Sequence, residues 1–273
     1  MIEIKTYKQT VDWLHRFGYL NGWQPTECEH DAAVAQMQKV YGLITDGVAG
    51  PLTRHAMGQC RCGCTDRQTI RVDDKHCKWK KQELTFAIQN RLALVGQDQI
   101  TTAKIIRDGF KLYEPLTGLT FTETANWNSA DIRIGKGAGR RYGFDGPGNI
   151  LAWAEMPAWD DDVYLYSFFD ASEPWNLRRE GYGIIAAAVW QHELGHLLGL
   201  DHSENPGDLM APIYNPQIID PQAGDRLRLA TVYGVSQTPQ MPEPGIPVGS
   251  YHVSGMITVE DSGGIDLRLL AEK

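Results

Sequence analysis

Apolar residues recur at three-residue spacing in some stretches of the chain and at alternate positions in others, and the two periods mark different elements. In "YKQTVDWLHRFGYL" Val11, Leu14 and Phe17 lie on one face of a helix. "HDAAVAQMQKVYGL" repeats the pattern with Val34, Met37 and Tyr41, and Asp31 stands where an N-cap is expected. After a turn at Asp46-Gly47, Pro51 takes an expected first helical position in "GPLTRHAM". Three short helices before Gly58 predict a small bundle, near the lower size limit for folding alone.

From about Cys77 alternation takes over. "LTFAI" (Leu84 to Ile88), "LTFTET" (Leu119 to Thr124) and "ADIRIG" (Ala130 to Gly135) predict strands. Between the first two, "TTAKIIRDGFKLYEPL" has helical spacing at Ile105, Phe110 and Tyr113, with Thr102 as its expected cap. "GIIAAAVWQHELGHLLGL" predicts an apolar helix of about five turns, and "AGDRLRLATVYG" an amphipathic one. Strands interleaved with helices imply an α/β or α+β fold with one face covered. "SQTPQMPEPGIPVG" holds four prolines and reads as an extended linker, and the sequence after it predicts a β-hairpin around Asp261 to Gly264.

Composition narrows the partners. The 273 residues carry a net charge of −8 with no basic cluster, which argues against nucleic acid or an anionic membrane. No apolar run is long enough to predict a membrane span. "MIEIKTYKQTVDWLHRF" shows no signal peptide, and five cysteines cannot all pair within the chain.

"HELGHLLGLDH" carries chemistry. His192 and His196, four residues apart on a helix, project from one face and can hold one metal ion. Glu193 lies beside that ion, where a general base belongs. Gly199 can adopt the left-handed conformation that ends the helix and lets the chain return His202 to the same ion. Three nitrogen ligands with one position open form a catalytic rather than a structural zinc site.

With its third histidine and glycine turn, this motif resembles that of the metzincin zinc proteases, and Met210 in "HSENPGDLMAPIY" matches their Met-turn. Ser203, Pro212 and Tyr214 point to the matrixin branch. The resemblance implies an α+β fold: a catalytic domain over 77–234, with a twisted, mainly parallel sheet and three helices. It further implies that Pro212 and Tyr214 wall the main specificity pocket, and the small Ala188 suggests a pocket open at that position. "FDGPGNILAWA" and "FFDASEPW" resemble the matrixin calcium loops, which implies at least one structural calcium held by Asp145, Gly146, Gly148, Ile150, Asp170 and Glu173. An oxygen-only donor set suits that cation. Matrixins usually hold a second, structural zinc, but its positions here are Ala138, Arg140, Trp153 and Phe168. No histidine occurs between His76 and His192, so a single zinc is expected, with Trp153 and Phe168 packed in place of the second.

"LHRFGYLNG…AVAQMQKVYGLITDGVAGPLTRHAM" resembles the peptidoglycan-binding-like helical domain of wall enzymes and protease propeptides, here residues 1–58. The following segment, 59–76, contains "CRCGCTD", which retains Arg61, Cys62, Gly63 and Asp66 of the matrixin switch Pro-Arg-Cys-Gly-x-Pro-Asp. That resemblance implies that the Cys62 thiolate blocks the zinc in a latent form and that Arg61 pairs with Asp66. Cys60 and Thr65 replace the two prolines, which leaves the rigidity of the loop open, and Cys64 is an extra thiol. A separate metal site built from Cys60, Cys62, Cys64 and Cys77 is disfavoured, because structural zinc sites prefer two or more intervening residues. The alternating thiols are expected to splay to both faces of a strand, and Cys28 to be a buried apolar residue or a disulfide partner.

The sequence thus reads as a monomeric zinc endopeptidase acting on proteins or peptides, made as a latent precursor. By resemblance it is secreted and works at the extracellular matrix. Two rivals are a peptidoglycan-targeted wall peptidase and a non-catalytic wall-binding protein. Residues 235–273 carry no legible function.

Overall fold

The computed structural model describes residues 3–66, 78–157, 164–234, 255–259 and 265–269. The stretch 67–77, which includes Cys77, and the proline-rich linker lie outside the described residues. The chain forms two compact units, residues 1–237 and 238–273.

The first unit opens with the expected bundle: α1 (Tyr7–Arg16), α2 (Glu27–Val40) and α3 (Pro51–Met57). Val11, Leu14, Phe17, Val34 and Met37 are all buried, as their spacing requires. The start of α2 corrects the sequence reading, because Thr26 rather than Asp31 is the N-cap. Thr26 and Glu29 satisfy each other's backbone N–H groups in a capping box, so helix begins a turn earlier.

A six-stranded sheet follows, in the order β1-β5-β6-β4-β2-β3. Its members are β1 (Arg61–Cys62), β2 (Glu83–Ile88), β3 (Thr120–Glu123), β4 (Ile132–Gly137), β5 (Ile150–Ala154) and β6 (Leu165–Asp170). Only the β5–β6 pair is antiparallel. This is the mainly parallel α+β sheet that was expected, although neither β5 nor β6 was read from the sequence. Three helices complete the domain: α4 (Gln99–Thr117), α5 (Ala186–Leu197) and α6 (Ala223–Tyr233). The cap of α4 is Asp98, whose side chain accepts from the Thr101 N–H at 2.9 Å. Thr102 lies inside the helix and bonds back to the Asp98 carbonyl.

Helix α5 is 12 residues long, shorter than expected. Ile184–Ile185 form a short strand, β8, paired with β7 (Trp175–Asn176), and Gly199 at φ +90° turns the chain away after Leu198. Every residue of α5 is buried, so the helix has no polar face from which its ends could be read. In the second unit β9 (Gly255–Val259) and β10 (Ile265–Leu269) pair antiparallel, as the hairpin reading expected.

The two larger apolar clusters among the described residues lie in the first unit. One lies between the sheet, α4 and α5 and includes Phe86, Phe110, Tyr113, Phe169 and Trp190. The other contains the bundle core together with Phe144 from the loop before β5 and Ile150 at the start of β5, so the bundle and this part of the sheet domain share buried surface.

Gly109 shows how closely α4 and α5 approach, since a Cβ there would come 2.2 Å from Trp190 Nε1. That nitrogen donates to the Ile106 carbonyl at 3.0 Å. Gly109→Ala would gain about 1 kcal/mol of helix propensity, but overpacking costs about 1–3 kcal/mol and the displaced hydrogen bond about 1 more. We therefore expect a net loss of about 1–3 kcal/mol, measured by denaturant unfolding; a stabilised variant would contradict the packing described.

Candidate metal centre

The centre is built on α5 and the loop that follows it. His192 and His196 stand one turn apart, and the turn at Gly199 brings His202 back beside them. The three imidazole centroids are 4.8–5.3 Å apart. His192 Nδ1 and His196 Nδ1 each lie 2.7 Å from a backbone carbonyl, that of Leu209 and Leu200 respectively. Those bonds fix the proton on Nδ1 and leave the Nε2 lone pairs free, the usual outer-shell arrangement of metal-binding histidines. His192 Nε2 and His202 Nε2 are buried without a hydrogen-bond partner. Buried orphan lone pairs aimed at one point are costly unless a cation takes them.

Cys62 completes the set. Its sulfur and one nitrogen from each histidine all lie within 4.8 Å of one another, and Cys62 Sγ is 3.5 Å from His196 Nε2. Three nitrogens and a thiolate are ligand types that zinc accepts in tetrahedral sites. Glu193 is fully buried, with Oε2 3.7 Å from Cys62 Sγ and Oε1 unpartnered. Burial, with the Cys64 sulfur adding to it, pushes the Glu193 carboxyl up to about 8.

Met210 lies directly under the helix, where a Cβ on Gly195 would come 2.3 Å from its sulfur. One residue behind this arrangement was missed from sequence. The buried Asp225 carboxylate accepts the N–H groups of Leu209 at 2.8 Å and Met210 at 3.2 Å, and caps α6 through Gln222 N–H. It fixes the turn whose Leu209 carbonyl orients His192. Its position three residues into an amphipathic helix was the available signal, though the sequence does not say which loop it serves.

A cavity between α5 and the Pro212–Tyr214 segment is lined by Ala188, Val189, Tyr214 and Ile218 and reaches Cys62. The Tyr214 hydroxyl is anchored by the Ile185 N–H at 2.9 Å. Into the cleft between β5 and this segment runs the strand that carries Cys62. Arg61 N–H donates to Asn149 O, Cys62 N–H to Pro212 O, Gly63 N–H to Ala152 O, and Tyr214 N–H to Cys60 O.

Arg61 and Asp66 form an ion pair whose side chains are almost wholly buried. The guanidinium sits 3.4 Å over the Phe17 ring and donates to the Cys62 carbonyl at 2.9 Å. Asp66 also accepts from the Tyr19 hydroxyl at 2.9 Å and the Tyr41 hydroxyl at 3.3 Å. His202 Nδ1 lies 3.1 Å from its other oxygen. Burial alone would raise the Asp66 carboxyl, but Arg61 and His202 outweigh it and hold it well below the usual carboxylate range.

The acidic loops come together as well. Asp170 and Glu173 are buried, and Asp170 Oδ2 and Glu173 Oε2 have no hydrogen-bond partner. Burial raises the Glu173 carboxyl, and the nearby Asp170 and Asp145 raise it further. Glu173 Oε1 accepts from Gly148 N–H at 2.6 Å, and Asp145 accepts from Asn149 and Ile150. Crowded carboxylates with orphan oxygens fit a hard cation such as calcium. Where a second zinc would need histidines, Trp153 and Phe168 stack with centroids 5.4 Å apart, and Tyr142 packs on Phe168.

Two cysteine expectations need correction. Cys28 is exposed and free, because it lies in the first turn of α2 on the solvent side. Cys62 and Cys64 do not splay, since alternate residues of an extended chain share a face; their sulfurs lie within 4.8 Å of each other.

A mixed sheet backed by a helix bearing two histidines, with a third returned by a glycine turn over a methionine floor, defines a metzincin-type metalloprotein. Residues 78–234 match the family described as Matrixin, and the chain belongs to that family. It is 35% identical over 213 residues to matrix metalloproteinase-18 of Xenopus laevis, covering 76% of this chain and 44% of that one. It is 32% identical to human matrix metalloproteinase-15 over 243 residues (77% and 35%) and 31% identical to human neutrophil collagenase over 251 residues (87% and 52%). The chain thus spans about half or less of these relatives' lengths. Among the described residues no helix is long and apolar enough to cross a membrane.

Removing one member of the buried ion pair strands the other. Asp66→Ala is expected to destabilise the protein by about 3–5 kcal/mol, and a joint Arg61→Met, Asp66→Leu replacement to recover most of that. Denaturant unfolding checks both, and a loss under 1 kcal/mol for Asp66→Ala would mean that the pair is not dry.

Proposed function

We propose that this chain is a zinc-dependent endopeptidase in latent form, with Cys62 as the blocking ligand. The observation that carries the reading is the convergence of the Cys62 sulfur with His192, His196 and His202 beside Glu193. Four such donors close a tetrahedral site, whereas the three histidines alone leave it open for catalysis. Zinc held there would supply a Lewis acid that polarises the scissile carbonyl and makes water nucleophilic near neutral pH.

Glu193 takes the proton of the attacking water and returns it to the leaving amine, a carboxyl beside the histidines being placed for both transfers. The substrate is a peptide in extended conformation, because the cleft edge at Asn149 and Ala152 and the Pro212 carbonyl already pair with the extended Cys62 segment. Its side chain next to the cut bond enters the cavity walled by Ala188, Pro212 and Tyr214.

Residues 1–58 and 59–76 act as one prosegment over the catalytic domain, residues 77–234. In support, Phe17, Tyr19 and Tyr41 of the bundle surround the Arg61–Asp66 pair. Asp145, Asp170 and Glu173, with the carbonyls of Gly146, Gly148 and Ile150, hold a structural calcium. Release of Cys62 by cleavage beyond Asp66 or by oxidation frees the centre. A secreted protein acting on extracellular proteins fits the relatives' printed character as matrix metalloproteinases and a collagenase.

Glu193→Ala should keep one zinc per chain and lose about 10²–10⁴-fold in kcat/KM on a denatured protein substrate; retained turnover would refute the base assignment. Cys62→Ser should yield a precursor that is active or cuts itself, seen by mass spectrometry, whereas unchanged latency would point to Cys60 or Cys64. Two zinc ions per chain would refute the single-zinc reading. Calcium should raise the unfolding temperature, and Asp170→Asn should abolish that rise.

A further inference from the structure

The extra thiol beside the latch has a partner. Cys64 Sγ lies within 4.8 Å of Cys62 Sγ, Glu193 and His196, and its backbone N–H points at Cys62 Sγ at 3.3 Å. The chain bends at Gly63 and Cys64. A straighter path or a larger residue is excluded at that point, because a Cβ on Gly63 would come 2.8 Å from Ile150 Cγ2 and 3.2 Å from the Ala152 carbonyl. The two cysteines differ in access. Cys62 is 5% exposed, whereas Cys64 is half-buried and donates at 3.2 Å to the Ala154 carbonyl on the β5 edge. A reagent from solvent therefore meets Cys64 first, with Cys62 behind it.

We propose that Cys62 and Cys64 form a regulatory disulfide, in which Cys64 receives the oxidant and Cys62 resolves it. This rests on the proposed latch reading for its consequence but not for its chemistry. With glutathione disulfide as oxidant, the Cys64 thiolate attacks one sulfur, forming a mixed disulfide and releasing one glutathione thiolate. Cys62 then attacks the Cys64 sulfur and expels the second glutathione thiolate. The two protein thiols lose two electrons and two protons, and one glutathione disulfide becomes two glutathione thiols.

Once in the disulfide, Cys62 has no thiolate to offer the three histidines. The segment stays docked, however, because the Arg61–Asp66 pair and the backbone bonds of Cys60, Cys62 and Gly63 do not involve either sulfur. Oxidation thus unlatches the centre reversibly and leaves the segment held by those contacts alone, from which it can give way to a peptide or be cut, and a reductant restores the latch until the chain is cut.

The test uses the zinc-loaded full chain carrying Glu193→Ala, which prevents self-cleavage, treated with glutathione disulfide and analysed by intact mass and peptide mapping. The expected product has lost two hydrogen masses, with Cys62 linked to Cys64, and dithiothreitol reverses it. Adding Cys64→Ser should abolish that product. Adding Cys62→Ser should instead trap one glutathione on Cys64. A stable glutathione adduct on the chain with both cysteines, or a link through Cys60 or Cys28, would overturn the proposal. Failure of the latch reading is seen separately: a Cys62→Ser chain with Glu193 intact that stays latent refutes the latch whatever the disulfide map shows.

Discussion

The buried ion pair between Arg61 and Asp66 is the constraint around which the N-terminal half of the structure is arranged. Two charges out of water cost several kcal/mol each unless every remaining donor and acceptor is satisfied. Here the satisfaction comes from three directions. Tyr19 and Tyr41 bring the bundle to the carboxylate, the Cys62 carbonyl brings the latch strand to the guanidinium, and His202 brings the metal loop to the second carboxylate oxygen. Phe17 closes the stack under Arg61. The pair can be dry only when bundle, strand and histidine loop are assembled together. That explains why a whole helical bundle stands over so short a strand.

The same reasoning answers the missing prolines. A proline-flanked switch is stiff because its backbone is restricted, whereas this segment has Cys60 and Thr65 at those positions. Its stiffness comes instead from four backbone hydrogen bonds to the two walls of the cleft, backed by the buried pair. A strand held on both edges is as well fixed in register as a constrained loop, and a slip by one residue would put Arg61 where Cys62 stands. Arg61 is fully buried and paired with Asp66, so a register error that would bring Cys60 to the histidines is opposed by the cost of stranding that charge.

What could be read from the sequence follows from the range of each interaction. The histidines and Glu193 were legible because their spacing is a local helical repeat, and the buried faces of α1 and α2 for the same reason. Strands β5 and β6 were not, since β5 runs "ILAWA" with small residues between its larger ones and β6 runs "LYSFFD" without clean alternation. Helix starts were misplaced where several Thr and Asp residues competed, and only the side-chain bonds made by Thr26 and Asp98 settle which one caps. Asp225, Tyr19 and Tyr41 act on loops far away in the chain, and no local pattern marks such partners. The splaying expected of Cys62 and Cys64 failed on geometry that was already available, since residues two apart in a strand share a face.

In the proposed reading the latch and a peptide substrate need the same edges, which decides how weak the latch contacts can be. Held in the same chain, the Cys62 segment competes at an effective concentration in the millimolar range or above, so modest contacts suffice to exclude substrate. Cutting the chain beyond Asp66 makes the same contacts intermolecular, and at dilute concentration they no longer hold the cleft. The bundle adds to the segment's affinity, because leaving the cleft exposes the bundle surface packed on Phe144 and Ile150 and separates Asp66 from His202. In the proposed precursor the centre is therefore governed by two separable events. Loss of the Cys62 thiolate removes the fourth donor and leaves the strand held by its backbone contacts, whereas loss of chain continuity removes that strand and Cys62 with it.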